Sequence, residues 1–282
     1  MINILLPTDF SENAFNAICH GIRLFEDSTC VFYLMHAYTP AIYRVDYMIG
    51  SPGKVGLPDD HQQIAQTHLE ETRKKLETRF KNPRHTFVTH AAFNNLADEV
   101  QNTVENENID IVVMGTQGAT GAKEIFLGSN TVHVLRKTKV PVLTIPVNAE
   151  YKPLNHILFP TDLEIEYSAP NLDYLLDLAK LHKAKIHIMH VTSPYGLSKD
   201  QKKNKVLLEK TMATSNHEFH DLPDQEVIGA INSFQTEHDI QLLAMVQNKH
   251  TFLERLFVEP VIRKIGLHTL VPFLVLPYNA KA

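Results

Sequence analysis

Short runs of consecutive apolar residues alternate along the chain with longer stretches in which apolar residues return every three or four positions. The runs Ile4–Pro7, Val31–Ala37, Thr86–Ala91, Ile109–Met114 and Val142–Ile145 are rich in Val, Ile and Leu, as strands covered on both faces of a sheet must be. Between them, Ile18, Ile22 and Phe25 fall at i, i+4 and i+7, and Leu69, Leu76 and Phe80 at i, i+7 and i+11, the spacings of a buried helical stripe. The alternation predicts βαβαβαβαβ, an α/β fold with a mostly parallel, doubly wound sheet and right-handed crossovers.

The pattern occurs twice. ILLPTDFSENA near the start recurs as ILFPTDLEIEYSA, which sets Pro160-Thr161-Asp162 at 153 residues (160 − 7) beyond Pro7-Thr8-Asp9. Leu34-Met35-His36-Ala37 matches Ile188-Met189-His190-Val191 at an offset of 154 (190 − 36). IDIVVMG matches IQLLAMV, and VPVLTIP matches VPFLVLP, both at 131 (240 − 109). The chain is therefore expected to hold two tandem domains, 1–148 and 149–282, each a five-stranded mostly parallel sheet of order 3-2-1-4-5 flanked by helices. The join falls near Asn148–Pro153. The offset drops by 23 residues (154 − 131), so the first copy carries extra sequence between Tyr38 and about His90, assigned to the segment TPAIYRVDYMIGSPGKVGLPDD as a lid or surface excursion. Val142–Ile145 and Phe273–Leu276 are each followed by Pro and are expected as terminal edge strands.

Composition narrows the function classes. At 282 residues, 44% hydrophobic and 21% charged, the chain has the make-up of soluble globular domains. A net charge of −5 with scattered Lys and Arg argues against nucleic acid as a partner. No apolar run approaches the ~20 residues that span a bilayer, and the first apolar run is too short for a signal peptide, so no membrane partner is expected and the location is read as cytoplasmic. Cys19 and Cys30 are the only cysteines; they make no disulfide framework and are expected as buried thiols in a reducing compartment. Among the 16 histidines, His182, His187 and His190, or His217 and His220, suggest a metal, but no spacing defines a ligand set, so solvated or satisfied histidines and no metal site are the expectation.

Ligands of such sheets bind beyond the carboxyl ends of the strands, where the strand order reverses. With order 3-2-1-4-5, Pro7-Thr8-Asp9 and the segment Gly115-Thr116-Gln117-Gly118-Ala119-Thr120-Gly121 line one cleft there. Its glycines can turn successive N–H groups toward one anion. Ser129, after Gly128, is expected to cap the last helix of the copy, whose N-terminal end favours phosphate. Asp9 either caps the first helix or meets the ligand, and both readings stay open. Neither GxxxxGK[ST] nor GxGxxG is present, which excludes the P-loop NTPase and dinucleotide-binding readings.

The arrangement G-x2-G-x9-G-[ST], formed by Gly115, Gly118, Gly128 and Ser129 together with the PTD segment, closely resembles the ATP-binding branch of the universal stress protein family, and the resemblance covers the whole chain as a tandem pair. It implies that Asp9, with Pro7 and Thr8, faces ribose and adenine, and that Ala37 lines the adenine pocket. Met114 and Gly115 would flank the nucleotide, with Gly118, Gly128, Ser129 and Asn130 around the phosphates. Ala37 is smaller than the family's usual Val, and Gln117 replaces a frequent His or Arg. The implied cofactor is ATP, with ADP and AMP left open and Mg²⁺ accompanying the nucleotide. In the second copy the same offset puts Val246, Lys249, Glu259 and Pro260 at the positions of Gly115, Gly118, Gly128 and Ser129, which denies it a nucleotide bound in this way. In the family the last strand pairs domains, so the two copies are expected to pair with each other, with a homodimer as a further option. The resemblance implies a nucleotide-dependent stress or regulatory protein acting on an unknown regulatory protein partner, with no catalytic residues and at most slow ATP hydrolysis. Two alternatives stay open: an ATP-cleaving or adenylating enzyme using the same cleft, and an interaction module without nucleotide affinity.

Overall fold

The apolar runs become strands and the amphipathic stretches helices in a computed structural model of the chain, which describes residues 1–38, 60–116, 127–147, 149–247 and 271–278. The first repeat runs β1 (Ile2–Pro7), α1 (Glu12–Leu24), β2 (Cys30–Tyr38), α2 (Asp60–Arg79), β3 (His85–Phe93), α3 (Leu96–Asn106), β4 (Ile111–Gly115), α4 (Ser129–Lys137) and β5 (Val142–Ile145). The second runs β6 (His156–Pro160), α5 (Ala169–His182), β7 (Lys185–Val191), α6 (Lys199–Met212), β8 (His217–Leu222), α7 (Val227–Glu237), β9 (Leu242–Gln247) and β10 (Phe273–Pro277). Of the segment read as a lid, 39–60, residues 39–59 lie outside the described residues, and Asp60 begins α2.

Local sequence explains where these helices begin. Ser11 accepts a hydrogen bond from the Ala14 N–H at 3.2 Å and caps α1, whose first turn carries Glu12 and whose last carries Arg23, in line with the helix dipole. Ser198 and Gln201 form a reciprocal capping box at the start of α6, with hydrogen bonds of 2.9 and 3.1 Å. Ile18 and Ile22 supply the buried stripe of α1, and Leu69 and Leu76 that of α2.

The strands form one sheet of order β3-β2-β1-β4-β5-β10-β9-β6-β7-β8. Each repeat contributes the expected 3-2-1-4-5 order, and every pairing is parallel except one. Where the repeats meet, β5 and β10 run antiparallel, with Val142, Leu143 and Thr144 opposite Val275, Leu274 and Phe273. The two strands expected at edges thus satisfy each other's free backbone groups at the centre of a ten-stranded sheet. The edges are β3 and β8. There the expectation of double coverage fails: no residue of β3 is fully buried, and Val88 is 39% and Phe93 56% exposed, because an edge strand lacks a neighbour whose side chains and helix would cover its outer side.

Two cores, one on each face, cross the junction. On one face α1, α2, α5 and α6 bury Ile18, Leu69, Leu172 and Leu208 with Leu143, Leu274, Phe159 and Phe32 of the sheet. On the other, α3, α4 and α7 bury Val100, Val134 and Phe234 with Leu5, Val142, Val275 and Leu243. Leu143 and Leu274, paired across β5 and β10, are each almost fully buried, and each such side chain contributes about 2 kcal/mol. The polar join is itself docked. Asn16 Nδ2 donates to the Ala149 carbonyl at 3.1 Å, the Tyr151 hydroxyl donates to the Arg23 carbonyl at 3.2 Å, and the His20 ring stands edge-on to Tyr151. Cys19 and Cys30 are buried and free, and burial pushes the Cys30 thiol up to about 11. Among the described residues, no helix is long and apolar enough to cross a membrane.

Candidate functional site

The end of β1 is shaped by a network of short hydrogen bonds. Thr8 donates its N–H to the Met35 carbonyl of β2 at 2.8 Å, and its hydroxyl accepts from the Phe10 N–H at 3.0 Å. That turn carries Phe10 at φ 64°, a left-handed conformation held by its surroundings. Asp9 Oδ1 accepts from the Ser11 N–H at 3.1 Å and from the Ser11 hydroxyl at 2.5 Å. The cap of α1 is therefore Ser11, and Asp9 holds that cap rather than being it. His36 Nδ1 lies 2.7 Å from the Thr8 carbonyl, which ties the end of β2 to the same turn.

Because β1 pairs with β4, with Ile4 opposite Ile111, this turn emerges beside Met114 and Gly115. Pro7, Thr8, Asp9, Ala37, Met114, Gly115 and Asn130 line one cleft, joined by Ala14, Leu96 and Thr131. Gly115 has a steric reason: a Cβ there would meet Asn13 Nδ2 at 2.6 Å, so the missing side chain lets α1 approach the end of β4. Gly118 lies in 117–126, outside the described residues, as do the second-copy counterparts Lys249, Glu259 and Pro260.

One expectation is corrected. The N-cap of α4 is Gly128, at φ −64° and ψ 157°, without a side-chain cap, and Ser129 is the first helical residue and exposed. A residue already helical cannot fold its hydroxyl back onto its own first turn in the N-cap manner. Gly128 is anchored by its N–H on the Thr116 carbonyl at 2.7 Å. Thr131, which sequence reasoning missed, donates its hydroxyl to the Gly115 carbonyl at 3.1 Å and fastens α4 to β4. The sequence shows only a hydroxyl residue three positions after Gly128, and its burial and bond come from the fold. The first turn of α4 carries no acidic residue and the last carries Arg136 and Lys137, so its N-terminal end favours an anion. Among the described lining residues Asp9 is the one ionisable side chain.

The second copy builds the same turn and ties it to α6. Thr161 donates to the Met189 carbonyl at 2.9 Å, its hydroxyl accepts from the Leu163 N–H at 3.0 Å, and Leu163 sits at φ 59°. Asp162 Oδ1 accepts from the Glu164 N–H at 3.1 Å, and His190 Nδ1 lies 2.9 Å from the Thr161 carbonyl. Here Gln201 Nε2 at the start of α6 donates to the Asp162 carbonyl at 3.0 Å, and Asn204 Nδ2 donates to the Leu163 carbonyl at 2.8 Å. The Thr161 hydroxyl donates to the buried Tyr167 hydroxyl at 2.8 Å, and Val246 stands buried where the first copy has Gly115. The histidine groups noted in the sequence are split by the strands: three residues apart, His187 and His190 take opposite faces of β7, and His217 and His220 opposite faces of β8.

Comparison with known proteins adds four findings. The Universal stress protein family matches residues 1–146. A universal stress protein of Methanocaldococcus jannaschii is 30% identical over 155 residues, covering 50% of this chain and 93% of that protein. A universal stress protein E homolog of Haemophilus influenzae is 21% identical over 280 residues, 94% of this chain and 83% of that protein. The crystal structure of a universal stress protein from Archaeoglobus fulgidus superimposes with a TM-score of 0.66 at 21% identity over 97% of each chain.

Proposed function

Because the chain belongs to the universal stress protein family, we propose that its first repeat, 1–148, binds ATP in the cleft between the ends of β1 and β4, and that the protein acts as a nucleotide-dependent stress-response regulator. The observation that carries this reading is the convergence of Pro7-Thr8-Asp9, Ala37, Met114, Gly115 and Asn130 on one cleft. In this reading Asp9 accepts hydrogen bonds from the ribose hydroxyls, and Pro7, Thr8, Ala37 and Met114 bound the adenine. Gly115 keeps the backbone of β4 open to the nucleotide. Gly118, Gly128, Ser129 and Asn130 present N–H groups and the positive end of α4 to the phosphates, with Mg²⁺ accompanying them. Bound Mg²⁺ neutralises phosphate charge.

The second repeat, 149–282, is a paired scaffold in this account. Its Val246 stands buried at the position of Gly115, and Gln201 and Asn204 hydrogen-bond the carbonyls of its strand-end turn. Occupancy of the first repeat is read out through the shared sheet by a regulatory protein partner in the cytoplasm. With Asp9 the one ionisable side chain among the described lining residues, this reading gives the cleft at most slow hydrolysis.

The test has two parts. Nucleotide carried by the freshly purified protein is extracted and identified, and ATP is then titrated into the wild type and Gly118→Glu. The wild type is expected to bind ATP, and Gly118→Glu to bind at least ten-fold more weakly because a carboxylate meets the phosphates. No binding by the wild type, or equal binding by the variant, refutes the proposal.

A further inference from the structure

The free edge of the sheet in the second repeat gathers imidazoles that are far apart in sequence. His187 of β7 stands opposite Leu158 of β6 on one side and Glu218 of β8 on the other, while Lys185 faces His156 and Met189 faces His220. Alternation along the strands then puts His156, His187, Glu218 and His220 on one face, the face that α7 covers with Phe234 and the adjoining His238. His187 Nδ1 lies 3.0 Å from His220 Nε2, and His187 Nε2 lies 3.0 Å from His156 Nδ1. One ligand atom from each of His187, Glu218 and His220 falls within 4.8 Å of the others.

We propose that His187, His220 and Glu218 form a binding site for a divalent transition-metal ion of the zinc class, with Nδ1 of His187, Nε2 of His220 and the Glu218 carboxylate as ligands and solvent in the fourth position. Two nitrogens each about 2.0–2.1 Å from one tetrahedral zinc are roughly 3.3 Å apart, so the imidazoles need to open by only a few tenths of an ångström to admit the ion. Two imidazoles and one carboxylate favour zinc and its neighbours over Mg²⁺ or Ca²⁺, which take all-oxygen sets.

The surroundings fit a ligand set. His156 is a positioning residue: by accepting the Nε2–H of His187 it fixes the tautomer that frees Nδ1 for the ion. Lys185 donates to Glu218 Oε2 at 2.6 Å and orients that carboxylate, which still has lone pairs to offer. Phe234 and His238, stacked at 3.8 Å between centroids, wall the inner side. The Glu218 side chain, 49% exposed, opens the outer side to solvent, whereas that of His220 is only 17% exposed. By strand register, the first repeat carries Asn3, Tyr33, Val88 and His90 at the positions of His156, His187, Glu218 and His220, and its His90 is 2.6 Å from Glu99 instead. The set of two imidazoles and a carboxylate thus belongs to the second repeat alone.

Full-length protein freed of metal with a chelator is titrated with Zn²⁺, and with Co²⁺, whose visible spectrum reports its coordination. One equivalent of each ion is expected to bind per chain, with Co²⁺ giving a tetrahedral spectrum. His220→Gln and Glu218→Gln are each expected to weaken Zn²⁺ at least ten-fold, and His156→Gln by about ten-fold with the spectrum shifted. Glu218 lies at the surface, so its variant keeps the test valid should a buried-histidine variant fail to fold. Absence of stoichiometric Zn²⁺ binding, or an ion whose affinity ignores both Glu218→Gln and His220→Gln, overturns the proposal.

Discussion

The two strand-end turns, Pro7-Thr8-Asp9 and Pro160-Thr161-Asp162, share a backbone donor to the neighbouring strand, a threonine hydroxyl that accepts from a left-handed residue, an aspartate that accepts two residues on, and a histidine on the threonine carbonyl. What separates them is what lies above. The first opens onto a cleft where Gly115 leaves room and α4 presents an uncapped N-terminus. The second is bridged by Gln201 and Asn204 of α6 and backed by Val246. The turn is therefore a structural device that the fold uses twice. In the proposed reading, the glycine at the end of the fourth strand, replaced by Val246 in the second repeat, is what separates the two.

The largest effect is expected where the halves join. Leu143→Ala and Leu274→Ala each remove a buried leucine from the antiparallel β5–β10 pair and should cost about 2–5 kcal/mol. Because both cores cross the junction, calorimetry and circular dichroism should give one transition for the whole chain. Two resolved transitions would mean that the repeats are energetically separate.

Acid should act next, at the contact between α1 and the join. Burial first, and then Arg23, hold His20 down to about 4, below the ordinary histidine value of 6.5. The native state thus excludes a proton that the unfolded chain accepts below about pH 6.5. The stability His20 provides is complete above that pH and is lost as the pH falls toward 4, by an upper limit of about 3 kcal/mol. Urea midpoints across this range should fall for the wild type and fall less for His20→Gln. An unchanged slope would contradict the assignment.

Gly115→Val copies the second repeat into the first. The added side chain meets the flexible end of Asn13, so the fold should survive while ATP affinity drops at least ten-fold in calorimetric titration. The smallest expected difference separates two serines. Ser11→Ala removes a cap hydrogen bond and should cost about 1 kcal/mol, whereas Ser168→Ala, at an N-cap with no such bond, should cost less than half of that by urea denaturation.

Much of this was legible because both repeats had to bury the same strands. Continuous apolar runs fixed β1, β4 and β5, and the repeat offsets aligned the two copies before any coordinates. The antiparallel sense of β5 against β10 was not legible, since a four-residue apolar strand reads the same in either direction. Nor was the half-exposed β3, because its membership of an edge depends on strands elsewhere. The cleft residues could be read from motif spacing, but Thr131 and the choice of Gly128 over Ser129 as cap depend on backbone angles. The histidines of β6, β7 and β8 escaped for another reason: His187 lies 31 residues from His156 and 33 from His220, and only strand register brings them together.

The asymmetry is tested most directly by the stoichiometry of ATP binding, measured by equilibrium dialysis with labelled nucleotide on the intact chain. The account predicts one ATP per chain for the wild type, none for Gly115→Val at the same concentration, and still one for Val246→Gly. Two per chain for the wild type, or an unchanged single site in Gly115→Val, would contradict the assignment of nucleotide to the first repeat alone.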